Sequence, residues 1–137
     1  MRRARVKKIR VLLVDDNPAI LEALAGMLRP NFAVVGLISR GAEVVDQAEA
    51  LKPDVIVLDI SLGDVNGFEV ATALKIARCP ARILFLSVHE DPEFVRRAFE
   101  VGGSGYVFKS KMPDLPRAIE EVAHGRIYSS VIFTVRR

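Results

Sequence analysis

Apolar and polar positions alternate along this chain in blocks that switch repeatedly between strand-like and helix-like spacing. Near-continuous apolar runs occur at 9–14, 55–58 and 82–86, with a further run at 32–38 and a short one at 106–108. Between them, apolar residues recur every three to four positions: Ile20, Leu24 and Leu28, then Val44, Val45, Ala48 and Leu51, then Val70, Ala71 and Leu74. The same spacing continues with Phe94, Val95, Ala98 and Phe99, and with Leu115, Ala118, Ile119 and Val122. Period-two or continuous runs predict strands and the longer spacing predicts amphipathic helices. The punctuation agrees. Asn17-Pro18 opens the first helix and Pro30-Asn31 closes it, Lys52-Pro53 stops the second, Asp91-Pro92 starts the fourth, and Gly102–Gly105 turns into the last strand. Pro116 is compatible with the last helix only in its first turn.

Strands without polar alternation are buried on both faces, as in a parallel sheet sandwiched by helices. The expected architecture is therefore α/β: five βα units in a three-layer, doubly wound fold. In such folds ligands bind outside the carboxyl ends of the strands. The residues at those ends are Asp15 and Asp16, Asp59, Ser87 and Lys109. If the strands lie side by side, three carboxylates, a hydroxyl and an ammonium share one pocket.

Composition narrows the setting. The 137 residues suit one domain. No apolar run approaches the ~18 residues of a membrane span, and the apolar stretch after the basic N-terminus is too short for a signal peptide. A cytoplasmic location is expected. Cys79 stands alone, so no internal disulfide is expected. The net charge of +3 is uneven: removing the six charges of Arg2, Arg3, Arg5, Lys7, Lys8 and Arg10 leaves −3 for the remainder. The basic leader reads as a solvated tail, with a nucleic-acid-binding arm as the alternative. The division expected is a basic extension at 1–8, the folded unit at 9–125, and a tail or linker start at 126–137. The apolar, β-branched stretch 127–135 fits no element clearly.

A cluster of three carboxylates is costly. At ~4 Å and an effective dielectric of ~20, each like-charge pair costs ~4 kcal/mol. Such a cluster protonates or binds a cation, and an all-oxygen set suits a hard ion such as Mg²⁺ (or Mn²⁺). With a metal in place, Asp59 is a candidate nucleophile toward phosphorus, Lys109 a cation for the transferred oxygens, and Ser87 a hydroxyl donor to them. Taken singly, each residue has a plainer reading as a helix cap, a turn residue or a solvated side chain. Their coincidence at four strand ends favours shared chemistry.

At this spacing the segments Val11-Leu12-Leu13-Val14-Asp15-Asp16-Asn17, Pro53–Ile60, Leu86-Ser87 and Gly105-Tyr106-Val107-Phe108-Lys109 resemble the receiver domain of two-component response regulators. The resemblance runs over about 9–125. It implies a flavodoxin-like, five-stranded sheet of order 2-1-3-4-5. It also implies Asp59 as phosphoacceptor, Asp15 and Asp16 with the backbone carbonyl of Ser61 as metal ligands beside Asp59, and Lys109 as the phosphate-binding lysine. Ser87 and Tyr106 fill the switch positions, Tyr106 being expected to turn inward when Ser87 moves toward the phosphoryl group. The implied partner is a histidine kinase or histidine phosphotransfer protein, and the implied role is a phosphoryl acceptor with at most slow self-dephosphorylation.

Lys109 is followed by Ser110, where most receivers carry proline; this and His124–Ser130 resemble the NarL/FixJ subfamily. Members continue into a helix-turn-helix domain, so DNA is expected to be reached only through a C-terminal domain absent from this chain, and homodimerisation is possible. Leu62-Gly63 replaces a common Met-Pro and is expected to loosen its loop, while Val88 follows Ser87 and is expected to narrow access. His89 reads as a solvated loop residue, with tuning of water access as the alternative. The competing functions are an unphosphorylated interaction module, an aspartyl-nucleophile phosphatase, and a flavin or dinucleotide carrier. The last needs a Gly-rich or Ser/Thr-rich phosphate loop in place of the acidic Asp15-Asp16-Asn17-Pro18.

Overall fold

The computed structural model describes residues 7–131. Its strands are β1 (Arg10–Val14), β2 (Ala33–Ile38), β3 (Val55–Leu58), β4 (Arg82–Ser87), β5 (Gly105–Phe108) and β6 (Tyr128–Ser129). Its helices are α1 (Pro18–Leu28), α2 (Val44–Leu51), α3 (Gly67–Ile76), α4 (Pro92–Glu100) and α5 (Leu115–Ala123), with 3₁₀ turns at Gly41–Glu43 and Lys109–Asp114. All strand pairs are parallel, in the order β2-β1-β3-β4-β5-β6.

The strands split their side chains between two cores with a period of two. Leu12, Val14, Ile56, Leu58, Phe85 and Tyr106 face the side covered by α2, α3 and α4. Val11, Leu13, Val55, Val57, Leu84, Leu86 and Val107 face α1 and α5. This explains the unbroken apolar runs: each central strand residue is buried, whichever way it points. The five βα units thus appear as expected.

Three details depart from the sequence reading. The expected five-stranded sheet gains a sixth strand, because Tyr128–Ser129 pairs beside Gly105 and Tyr106. Part of the unassigned 127–135 stretch therefore belongs to the sheet, and its residues beyond 131 lie outside the described ones. Phe32 is not in β2; it is buried against α1 and the α5 side as the chain turns into the strand. Arg10 is not simply part of a solvated leader. Its guanidinium donates to the carbonyls of Leu51 at 2.6 Å and Lys52 at 3.3 Å, closing the C-terminus of α2. Residues 1–6 of the basic extension lie outside the described residues.

Helix starts aim loops at the carboxyl end of the sheet. Asn17 caps α1, its Oδ1 accepting from the amides of Ala19 at 2.9 Å and Ile20 at 3.4 Å, with Pro18 at the first helical position. Asn66 caps α3 in the same way through the Phe68 amide at 2.7 Å. Gly67 is required there, since a Cβ would sit 2.3 Å from the Asp59 carbonyl oxygen. That close approach seats α3 directly against the end of β3.

Candidate functional site

Backbone pairing continues one residue past the strands and fixes the acidic residues. The Asp15 amide donates to the Ile38 carbonyl at 3.1 Å, and the Asp59 amide to the Val14 carbonyl at 3.0 Å. The sheet thereby presents Asp15, Asp16 and Asp59 together, and each offers a carboxylate oxygen within 4.8 Å of the others. Asp15 and Asp59 are buried, and Asp16 is exposed at the rim. Gly63, with φ of +84°, turns the β3–α3 loop over that rim; a Cβ there would lie 3.7 Å from the Asp16 Oδ2. An antiparallel bridge between Ser61 and Asn66 closes the same loop. Asp64 ties it to the neighbouring 3₁₀ turn, accepting from the amides of Gly41 at 3.0 Å and Ala42 at 3.1 Å. The Ala42 and Gly41 amides hold the Asp64 carboxyl below its usual range. The expected loosening at Gly63 is thus countered by a capped helix, a bridge and two amide bonds.

Lys109 reaches into the cluster from the end of β5. Its Nζ lies 2.8 Å from the Asp15 Oδ2 and 3.2 Å from the Asp59 Oδ2. Burial alone would lower the lysine's pKa, but its bonds and charge attraction to Asp15 and Asp59 outweigh that, and the net shift is upward. Asp59 is also shifted upward. Desolvation is the largest cause and the charge of Asp15 adds to it, while Lys109 opposes both. Three carboxylates and one ammonium leave a local charge of −2 when all are ionised. The donor set is oxygen-only, convergent, and open to water at Asp16. It fits a hard divalent cation.

Ser87 ends β4 and is fully buried; its Oγ accepts from the His89 amide at 3.1 Å. Tyr106, from β5, is also fully buried, and its hydroxyl donates to the His89 carbonyl at 2.7 Å. Burial raises the tyrosine's pKa. The ring is therefore already inside in this structure, whereas inward turning was expected to follow movement of Ser87. One residue, His89, is bonded through its backbone to both switch positions. Its imidazole stacks on Phe94, with centroids 4.2 Å apart and planes 6° from parallel, and its Nε2 lies 3.3 Å from the Ser61 Oγ. The solvated-loop reading of His89 thus gives way to a half-buried bridge between the β3 and β4 loops. Val88, the expected obstruction, is 63% exposed. The sequence reading also missed the contact from Ser110 Oγ to Glu90 at 2.8 Å, which joins the loops after β4 and β5. An unremarkable serine in place of proline was its only signal.

Every residue predicted for the site from strand ends is in this one region. The response regulator receiver domain matches residues 11–120. The chain belongs to that family.

Among curated relatives, the transcriptional regulatory protein DegU of Brevibacillus brevis is 37% identical over 125 residues, covering 88% of this chain and 52% of that protein. The nitrate/nitrite response regulator protein NarL of Escherichia coli K12 is 33% identical over 127 residues, covering 90% of this chain and 59% of that protein. The chain thus spans between half and three fifths of these relatives' length. Among solved structures, the signal receiver domain of the putative response regulator NarL from Mycobacterium tuberculosis superposes with a TM-score of 0.81 at 31% identity, covering 88% of this chain and all of that one. A LuxR-family two-component response regulator from Aurantimonas gives 0.84 at 34% identity, covering 89% of each chain. These relatives support the NarL/FixJ-like subfamily and the flavodoxin-like fold. Receiver domains are signalling modules rather than classical enzymes, which counts against the phosphatase and the flavin carrier.

Proposed function

We propose that this chain accepts a phosphoryl group on Asp59 from a histidine kinase or histidine phosphotransfer protein and reports it through Ser87, Tyr106 and the surface around α4, β5 and α5. The observation that carries this reading is the bridge of Lys109, from the end of β5, across the buried carboxylates of Asp15 and Asp59 at the ends of the adjacent strands β1 and β3. Lys109 offsets only part of the charge of this acidic set, so further cationic charge entering the pocket stabilises it.

The step is a displacement at phosphorus. A carboxylate oxygen of Asp59 forms the new P–O bond as the P–N bond of a phosphohistidine breaks, and the departing imidazole nitrogen keeps the bonding pair until it is protonated. The product is an acyl phosphate. Asp15, Asp16, Asp59 and the Ser61 carbonyl would hold Mg²⁺ or Mn²⁺, which would supply charge neutralisation for the transferred oxygens. Lys109 supplies a second cation at the same place, and its two short contacts hold it there before phosphate arrives. The Ser87 hydroxyl can exchange its contact with the His89 amide for one with a phosphoryl oxygen. That exchange releases the amide of the residue whose carbonyl holds Tyr106, so the two switch positions are mechanically joined through His89.

Domain limits, location and output follow as part of the same reading. Residues 9–125 form the receiver, with β6 as an appended edge strand, and 1–8 and 126–137 flank it. No helix among the described residues is long and apolar enough to cross a membrane, and a cytoplasmic location is consistent with a kinase partner. DegU, a longer relative, is a transcriptional regulatory protein by name, so we place this chain as the receiver half of such a regulator, acting as a homodimer.

Incubation with acetyl phosphate and Mg²⁺ should add the mass of one phosphoryl group. Asp59→Asn should abolish the shift; equal labelling of that variant would remove Asp59 from the role.

A further inference from the structure

The opposite end of the sheet carries the inverse charge. The starts of β1, β2 and β4 and the ends of α2, α3 and α5 enclose an open depression of about 1260 Å³. Its wall includes the side chains of Lys7, Lys8, Lys52, Arg78 and Arg82, all exposed, and Arg10. Against these six cations stand two carboxylates, Glu49 and Asp54. Asp54 is already engaged, its Oδ2 accepting from the Arg10 amide at 2.8 Å, and Arg10 is spent on the carbonyls of Leu51 and Lys52. The other five cations have no carboxylate within ion-pair distance among the described residues. Six cations against two acids give this end a net +4, which leaves −1 of the chain's +3 for everything else.

Helix dipoles account for part of this, since a cation is favoured at a helix C-terminus. They do not account for Lys7, Lys8 and Arg82, which start strands or precede them. Nor do they explain why Lys52 and Arg78 occupy left-handed backbone positions, at φ of +50° and +57°, where glycine or asparagine would end the helices with less strain.

We infer that this basic end of the fold binds the phosphate backbone of duplex DNA, without reading sequence. The depression is lined by no Phe, Tyr or Trp among the described residues. Single strands are gripped by stacking on such rings, and membrane surfaces by inserted aromatic and aliphatic side chains. What remains is a spread of long, exposed cations, the chemistry of phosphate contact. The acidic cluster does not oppose it. Arg10 and Asp15 lie five residues apart along β1, roughly 16 Å at ~3.3 Å per residue, beyond the ~8 Å Debye length at physiological salt. This inference stands apart from the phosphoacceptor reading and from the expectation that DNA is met only through a further domain.

The test is fluorescence anisotropy of the 137-residue chain with a labelled 20-bp duplex, a second duplex of scrambled sequence, the corresponding single strand, and vesicles containing phosphatidylserine. Both duplexes should bind equally at low salt and more tightly than the single strand or the vesicles. The variant Lys52→Asn/Arg78→Asn/Arg82→Gln should bind at least tenfold more weakly, and its slope of log affinity against log salt should be shallower by about 2.7. Its urea unfolding midpoint should match the parent's, which reports that it is folded; Lys7→Gln/Lys8→Gln serves if it is not. No duplex binding, preference for vesicles or single strand, or undiminished binding by the folded variant would overturn the proposal.

Discussion

The two ends of this sheet handle charge in opposite ways. At the carboxyl ends of the strands, Asp15, Asp59 and Lys109 are drawn together and largely removed from water, so the ionisation of Asp59 and Lys109 depends on their neighbours. At the amino ends, lysines and arginines are exposed and spread over separate elements, where solvent and salt weaken their mutual effects. Removing the cation Lys109 should therefore be costly at one end, while removing a lysine or arginine should be nearly silent for stability at the other. The same contrast separates covalent chemistry, which needs convergence and dryness, from polyanion contact, which needs neither.

The largest stability effect should come from Lys109→Gln. It leaves two buried carboxylates facing each other without their shared cation. In the presence of a chelator, unfolding free energy should fall by about 3 kcal/mol, measured by urea denaturation. Part of that loss should return with millimolar Mg²⁺. Labelling by acetyl phosphate should slow by about a hundredfold or more. A variant as stable and as reactive as the parent would remove the distinction between the two ends.

Tyr106→Phe should have an intermediate effect. It forfeits the hydrogen bond to the His89 carbonyl, at a cost of about 1 kcal/mol near neutral pH. The pH dependence has a definite sign. Burial raises the folded-state pKa of Tyr106 above its ordinary 10.0. The stability tied to its protonated form is fully present below pH 10.0 and is lost as pH rises through the higher folded value. Unfolding midpoints of the parent should therefore fall more steeply above pH 10 than those of the variant, which has no hydroxyl to ionise. Parallel alkaline limbs would mean that the hydroxyl is exposed in solution.

Smallest of all, Arg82→Gln should change stability by no more than about 0.5 kcal/mol, because the side chain is exposed and has no carboxylate partner among the described residues. A loss of several kcal/mol would give the basic end a structural role of its own.

Much of this was visible in the chain before its fold. Runs such as Val11–Val14 and Val55–Leu58 announce doubly buried strands, and parallel α/β topology then forces the residues after them into one pocket. Asp15, Asp16, Asp59, Ser87 and Lys109 were legible because strand-end position is a topological property. Features that depend on one particular partner were not. Tyr128–Ser129 is too short to carry a strand pattern, and it is in the sheet because the Tyr128 amide finds the Ser104 carbonyl and the Ser130 amide finds that of Tyr106. His89 has no periodicity to betray it; its place depends on the face of Phe94 and on two backbone bonds. Arg10 shares a composition with the leader, yet its guanidinium closes a helix some forty residues away, a contact that only the tertiary structure supplies. The metal ligation and switch roles rest on the family resemblance together with the geometry, since neither an acidic cluster nor a buried tyrosine specifies signalling by itself.

The account's central claim is that Asp59 carries the phosphoryl group. It is tested most directly by labelling the chain with acetyl phosphate and Mg²⁺, reducing with borohydride, and sequencing the peptides by tandem mass spectrometry. An acyl phosphate on an aspartate is reduced to homoserine, which marks the residue itself. Homoserine at position 59 alone is the predicted result; homoserine at Asp15 or Asp16, or phosphate retained on Ser87, would contradict it.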